Sequence, residues 1–217
     1  MNFVVIFFGW IFSLCLHEFG HAFVAYHGGD YTVKEKGYLS FNPLRYMDPF
    51  TSIILPLIFL FIGGIGLPGG AVYIETWRLR NRYWVSAVAM AGPAANALFA
   101  ICLAILLRFL PSSLYILPGL NFLLVLQIWA ILFNLIPLPP LDGWRIIEPY
   151  LSEALVMQVR SFGMFSILIL FLIFRYTFIG GIFSFVVSMI SVVLGADLFL
   201  ASQGQQYLLQ YFQRLLG

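Results

Sequence analysis

Two of the three histidines in this chain, His17 and His21, stand four residues apart in H-E-F-G-H, with Glu18 between them. On a helix, positions i and i+4 differ by about 40° in direction and about 6 Å in rise. Both imidazoles can therefore grip one ion. Glu18 points roughly 100° away from His17, close enough to hold a water without being a ligand. Two imidazoles and one adjacent carboxylate form the working set of a zinc hydrolase. The motif lies inside an apolar run, residues 3–26, where ionisable side chains are costly and mark function by default. The competing reading is a polar contact between helices.

Two histidines leave a tetrahedral zinc short of a ligand. His27 ends the same run, before Gly28-Gly29-Asp30. It could be a fourth ligand, but a catalytic site needs an open position, and an interfacial role is simpler. A carboxylate at membrane depth is the better candidate for the third ligand. Asp142 stands out, in N-L-I-P-L-P-P-L-D-G-W-R at 134–145. Pro137, Pro139 and Pro140 cannot all continue a helix, so they unwind the preceding run and can leave Asp142 at a helix-broken site. Gly143 adds backbone freedom there. The alternative is an interfacial aspartate capping a helix-rich stretch at 144–160. Asp48 and Glu75 read as structural loop residues.

The elements that must position these groups are membrane elements. The chain is 62% hydrophobic and only 9% charged, against about 25% charged in soluble domains. A net charge of +2 is no electrostatic footprint for nucleic acid. Cys15 and Cys102 lie in apolar runs and read as no disulfide framework. The first apolar run lacks a basic leader and a small-residue cleavage site, so it reads as a span and not a removable signal. A crossing needs about 20 apolar residues. Residues 3–26, 83–107, 120–138 and 178–200 qualify; 162–174 and 50–66 are short. Ala71 to Thr76 follows a Pro-Gly-Gly turn and mixes β-branched and aromatic residues, which predicts a short strand.

The basic residues choose the topology. If 50–66 crosses fully, five basic residues face six across the membrane. If it dips in and returns, only Arg108 and Arg175 lie outside and the other nine lie inside. The expectation is an all-α polytopic membrane protein with about five transmembrane helices, a re-entrant segment at 50–66 and a small β element near 71–76. Its N-terminus is outside and its C-terminus inside. Residues 162–174 and 178–200 are each taken to cross once. This topology also brings H-E-F-G-H, Gly92 to Asn96 and Asp142 to one depth.

H-E-F-G-H at 17–21, A-G-P-A-A-N at 91–96 and F-N-L-I-P-L-P-P-L-D-G at 133–143 resemble the site-2 protease family of intramembrane zinc metalloproteases. N-P-L-R-Y-M-D-P at 42–49 resembles its small bacterial-type branch, which lacks PDZ and CBS domains. The resemblance covers roughly residues 3–147. It implies His17, His21 and Asp142 as ligands of one zinc, Glu18 as the catalytic glutamate, and Asn96 and Asn134 as active-site support or substrate-handling residues. Without it, Asn96 reads equally well as an interhelical hydrogen bond, and Asn134 as a cap for carbonyls freed near Pro137. The family motif usually ends D-G-G-R; here Trp144 stands in place of the second glycine, which would reshape the substrate groove and leave the ligand intact.

The resemblance further implies one membrane-embedded metalloprotease domain over 1–217, with a catalytic core at 3–147 and C-terminal helices at 148–217. Substrates would be transmembrane segments of other membrane proteins, met within the lipid bilayer of a prokaryotic cell membrane. Substrate identity and oligomeric state are not specified. The strand at 71–76 would offer an edge to an unwound, extended substrate. A metal transporter would spread its ligands along a path, whereas these cluster at one depth. It would also have no need of Glu18, and a silent binding protein would usually have lost Glu18 or a ligand, whereas all are present.

Overall fold

The computed structural model describes residues 1–45, 72–161, 163 and 165–216. The segment 50–66 falls outside them. Among the described residues the structure is helical and contains no strand. Helix α1 is Asn2–Gly28, α2 Thr32–Glu35, α3 Arg82–Phe109 and α4 Leu117–Asn134. Then follow α5 Asp142–Ile147, α6 Glu153–Ser161, α7 Phe165–Tyr176, α8 Phe178–Val193 and α9 Leu198–Leu216.

Three of these helices, α1, α3 and α4, are long and apolar enough to cross a membrane. At 1.5 Å per residue, a 27-residue helix such as α1 is about 40 Å long, more than the ~30 Å hydrocarbon core. Helices α7 and α8 have 12 and 16 residues. The stretch Leu168–Tyr176 meets Phe178–Val193 at an 85° bend, so this pair adds at most one broken span by length. The run 178–200 is not one helix. Helix α8 ends at Val193, Gly195 takes φ +95°, and Asp197 starts α9 by accepting the N–H groups of Phe199 and Leu200. A left-handed glycine followed by an N-capping aspartate stops one helix and begins another.

The chain divides into two compact units. One comprises Met1–Ser13, Ala97–Leu132 and Leu170–Gly217. Its core joins Ala100, Leu103 and Ala104 of α3, Leu120, Leu123, Leu124 and Ile128 of α4, and Val187 of α8. Several polar side chains at its buried positions have specific partners. Asn2 donates to the Tyr115 carbonyl and accepts the Gly119 N–H, and Ser13 Oγ donates to Gln127 Oε1.

The second unit, Leu14–Asn96 and Phe133–Ile169, carries every residue singled out above for chemistry. Here α1 and α3 cross closely: a Cβ at Gly20 would stand 2.7 Å from the Ala91 carbonyl oxygen. Ser86 on α3 donates to the Ile146 carbonyl at 2.7 Å and ties α3 to α5. The expected strand near 71–76 is absent among the described residues: Val72–Glu75 is neither helix nor strand, and Thr76–Arg78 is a 3-10 turn. A strand needs a partner ladder for its N–H groups. Two of these N–H groups go instead to carboxylates, Val72 to Glu18 and Glu75 to Asp30. Glu75 also lies between Arg78 and Lys36. Arg78 first, then Lys36, holds its carboxyl below the usual range, although such exposed pairs contribute little stability.

Candidate metal centre

The i, i+4 spacing puts His17 and His21 on one face of α1, with ring centroids 4.7 Å apart. Asp142 comes from a separate motif, F-N-L-I-P-L-P-P-L-D-G at 133–143. Helix α4 stops at Asn134, the proline-rich stretch runs in turns, and Asp142 opens α5. Gly143 has no left-handed φ. Its role is space: a Cβ there would lie 2.3 Å from the Leu135 oxygen and 2.5 Å from the Ile136 oxygen. The turn leaving α4 can press against the start of α5 only because position 143 has no side chain.

The three side chains converge. His17 Nε2 lies 3.1 Å from Asp142 Oδ2, and His21 Nε2 lies 3.4 Å from Asp142 Oδ1. The two Nε2 atoms are 3.1 Å apart. One ligand atom from each residue falls within a 4.8 Å cluster, the one His/Cys/Asp/Glu group of this kind among the described residues. The His17 and His21 side chains are 10% and 9% exposed, and that of Asp142 is 12% exposed.

His21 Nδ1 sits 2.6 Å from the Val88 carbonyl oxygen on α3. A carbonyl only accepts, so Nδ1 carries a proton, and in the neutral ring that a metal requires, Nε2 presents its lone pair. This outer contact fixes tautomer and ring orientation, as metal-bound histidines require. Helix α3 continues through Pro93 without a break. Proline withholds the N–H that the carbonyl four residues back would accept. His17 has no outer partner among the described residues: its Nδ1 is buried and unbonded.

Gly92 completes the centre. A Cβ at that position would lie 2.4 Å from His21 Nε2 and 2.6 Å from His17 Nε2. A hollow thus faces both imidazole nitrogens, and a single methyl group would fill it. The donor set suits zinc. Its bonds to nitrogen and oxygen of about 2.0–2.1 Å place tetrahedral ligand atoms about 3.3 Å apart; the two Nε2 atoms are 3.1 Å apart, and each meets a different oxygen of Asp142 at 3.1 and 3.4 Å. Two imidazole nitrogens and a carboxylate brought together at a buried position are a donor set that a divalent cation can satisfy.

Glu18 is buried at 5% exposure and stands outside the three-atom cluster. Its Oε2 accepts the Val72 N–H at 3.0 Å. Asn96 is buried on α3, one turn beyond Gly92, with Oδ1 unbonded. Asn134 is half-buried at the end of α4. Neither makes a hydrogen bond to the His–His–Asp cluster. His27 is exposed, and its Nδ1 lies 2.8 Å from the carbonyl oxygen of Phe23 in its own helix. Trp144 is buried at 5% exposure, with its Nε1 unbonded. Sequence reasoning missed the Val88 carbonyl and the Val72 N–H, because a backbone atom carries no residue signature.

Comparison with known proteins adds the following. Residues 3–116 match peptidase family M50; Asp142 lies beyond that match. A Mycobacterium tuberculosis protein named as zinc metalloprotease Rip2 is 42% identical over 175 residues, covering 78% of this chain and 67% of the relative. Its Mycolicibacterium smegmatis counterpart is 42% identical over 173 residues, 77% of this chain and 66% of the relative. A Bacillus subtilis protein named as zinc metalloprotease YwhC is 33% identical over 177 residues, 74% of this chain and 77% of the relative. The chain thus spans about two thirds of the length of its mycobacterial relatives. No solved structure matches it.

Proposed function

The chain belongs to peptidase family M50, the site-2 proteases, and on that footing we propose that it is an intramembrane zinc metalloendopeptidase. It would hydrolyse peptide bonds within or near transmembrane segments of other membrane proteins. His17, His21 and Asp142 would hold one zinc ion. The observation that carries this reading is their convergence, with Glu18 beside them and a hollow over Gly92 facing the ligand nitrogens.

When bound, zinc would supply Lewis-acid polarisation of the scissile carbonyl and acidify water. The protein does the rest. Glu18 takes a proton from the attacking water and passes it to the leaving amine. The Val72 N–H holds one oxygen of that carboxylate, leaving the other for the water. Val88 keeps the His21 lone pair aimed at the cluster. A substrate helix must unwind before its carbonyl can be reached. An extended substrate could pair along Tyr73 and Ile74, whose N–H groups take no partner among the described residues. Asn96, with its buried unbonded oxygen, and Asn134, at the end of α4, would support the site or the substrate.

The nine-to-two partition of basic residues supports an N-terminus outside, a re-entrant 50–66, and a metal centre near the inner face of a prokaryotic cell membrane. By length, α7 and α8 together would add one broken crossing to those of α1, α3 and α4; five crossings would require each of the pair to cross by itself. Residues 1–217 would act as a single catalytic domain, with 148–217 as accessory helices.

Chelation tests the reading. Purified protein should contain about one zinc per chain and cleave members of a panel of synthetic transmembrane peptides. Stripping the metal should abolish cleavage, and stoichiometric zinc should restore it. Cleavage that survives complete metal removal would refute the proposal.

A further inference from the structure

The Glu18 carboxylate is carried by α1, yet the atom that holds its Oε2 belongs to a different segment, the Val72 N–H at 3.0 Å. Val72–Glu75 has no helix or strand to keep it in place. Val72 is nevertheless buried, so something must anchor the segment. The anchor is at its other end. Asp30 is fully buried, at 0% exposure. A carboxylate out of reach of water must be matched by donors, and Asp30 has three among the described residues. Its Oδ1 accepts the Thr32 N–H at 3.1 Å and the Thr32 hydroxyl at 2.6 Å. Its Oδ2 accepts the Glu75 N–H at 2.8 Å.

The two oxygens therefore serve different partners. Oδ1 closes the turn that follows α1, and Oδ2 holds the segment whose far end reaches Glu18. Further attachments follow the same line. The Arg80 N–H donates to the Gly28 carbonyl at 3.0 Å, and Lys36 Nζ reaches the Tyr73 carbonyl at 3.4 Å. The lysine contact is exposed and weak by comparison. The Asp30–Glu75 bond is charge-assisted and rooted in a fully buried acceptor, which makes it the firmest of the set. Three residue steps separate Glu75 from Val72, about 10 Å of chain at most. A shift at one end must move the other.

We propose that Asp30 is a positioning residue for Glu18, acting through the backbone of Val72–Glu75. Asp30 sets Glu75, Glu75 sets Val72, and the Val72 N–H fixes the plane of the Glu18 carboxylate so that its second oxygen faces the water. The proposal rests on Glu18 being the general base. Releasing the latch would leave the metal ligands alone and loosen only the base, and a misplacement of about 1 Å can cost about a hundredfold in rate.

The test uses the full-length protein, zinc-loaded, and reads two quantities. One is amide hydrogen exchange at Val72 and Glu75; the other is kcat and KM on a cleaved transmembrane peptide. Asp30→Asn keeps the side-chain volume but offers one oxygen in place of two. It should speed exchange at both amides and lower kcat by about 10- to 100-fold, with KM and zinc content near wild type. Glu75→Pro removes the same hydrogen bond from the other side, leaves Asp30 in place, and should speed exchange at Val72 with the same fall in kcat. Thr32→Val removes only the hydroxyl bond to Oδ1 and should leave Val72 protection and kcat unchanged. Unchanged exchange at Val72 in both Asp30→Asn and Glu75→Pro would overturn the proposal. So would faster exchange without any fall in kcat. The exchange readout decides the latch by itself, and a separate variant, Glu18→Gln, decides the base.

Discussion

Replacing Gly92 with alanine should empty the metal centre. The added Cβ would stand 2.4 Å from His21 Nε2 and 2.6 Å from both His17 Nε2 and His21 Cε1, well inside van der Waals contact. Neither ring has an easy escape. His21 is held by the Val88 carbonyl at 2.6 Å, and His17 lies against Asp142 at 3.1 Å. Overpacking of this kind costs about 1–3 kcal/mol, which the fold can survive. The ligand geometry cannot, because the methyl group collides with both ligand nitrogens. Zinc should drop from about one per chain to near zero by elemental analysis, and peptide cleavage should fall by more than about a hundredfold. Full zinc occupancy in Gly92→Ala would mean that the metal sits elsewhere.

The second large effect is expected from Glu18→Gln, and it should separate metal binding from chemistry. Glutamine keeps an oxygen that can accept the Val72 N–H, so the local fold is spared. It cannot take a proton from water. General-base catalysis contributes about 10²–10⁴-fold, and cleavage should fall by that factor with zinc retained. Glu18→Ala should behave worse in a different way. It strands a buried N–H at Val72, a penalty of about 1–3 kcal/mol, and should lower thermal stability as well as activity. Equal cleavage by wild type and Glu18→Gln would remove Glu18 from the mechanism.

What the sequence disclosed about this site follows from where periodicity acts. His17 and His21 share a helix face because four residues is nearly one turn, and that needs no tertiary information. Asp142 required more. The proline-rich stretch shows that the helix must stop near Asn134, and it does, but the return of Asp142 to α1 depends on the close contact at Gly143. The centre also depends on groups that no residue pattern reveals. Val88 contributes a carbonyl and Val72 an N–H, and any residue but proline at position 72 could supply the latter. Gly92 stands in the sequence only as part of A-G-P-A-A-N at 91–96; its position against the two nitrogens emerges only in three dimensions.

The strand reading failed for a related reason. Val72–Ile74 has the composition of a strand, but composition cannot say whether a ladder partner exists. Glu18 and Asp30 took the hydrogen bonds instead. The last third was misread by length alone. Residues 178–200 are apolar enough to cross, yet Gly195 and Asp197 carry ordinary stop and start signals that the hydropathy count passed over.

The most direct test of the central claim is zinc X-ray absorption on the purified, full-length protein, for wild type and Asp142→Ala together. Wild type should show about one zinc per chain with nitrogen and oxygen neighbours at about 2.0–2.1 Å and the signature of two imidazoles. Asp142→Ala should lose zinc or retain it with one fewer oxygen neighbour. Sulfur neighbours at about 2.3 Å, or a wild-type spectrum unchanged by Asp142→Ala, would contradict a zinc ion held by His17, His21 and Asp142.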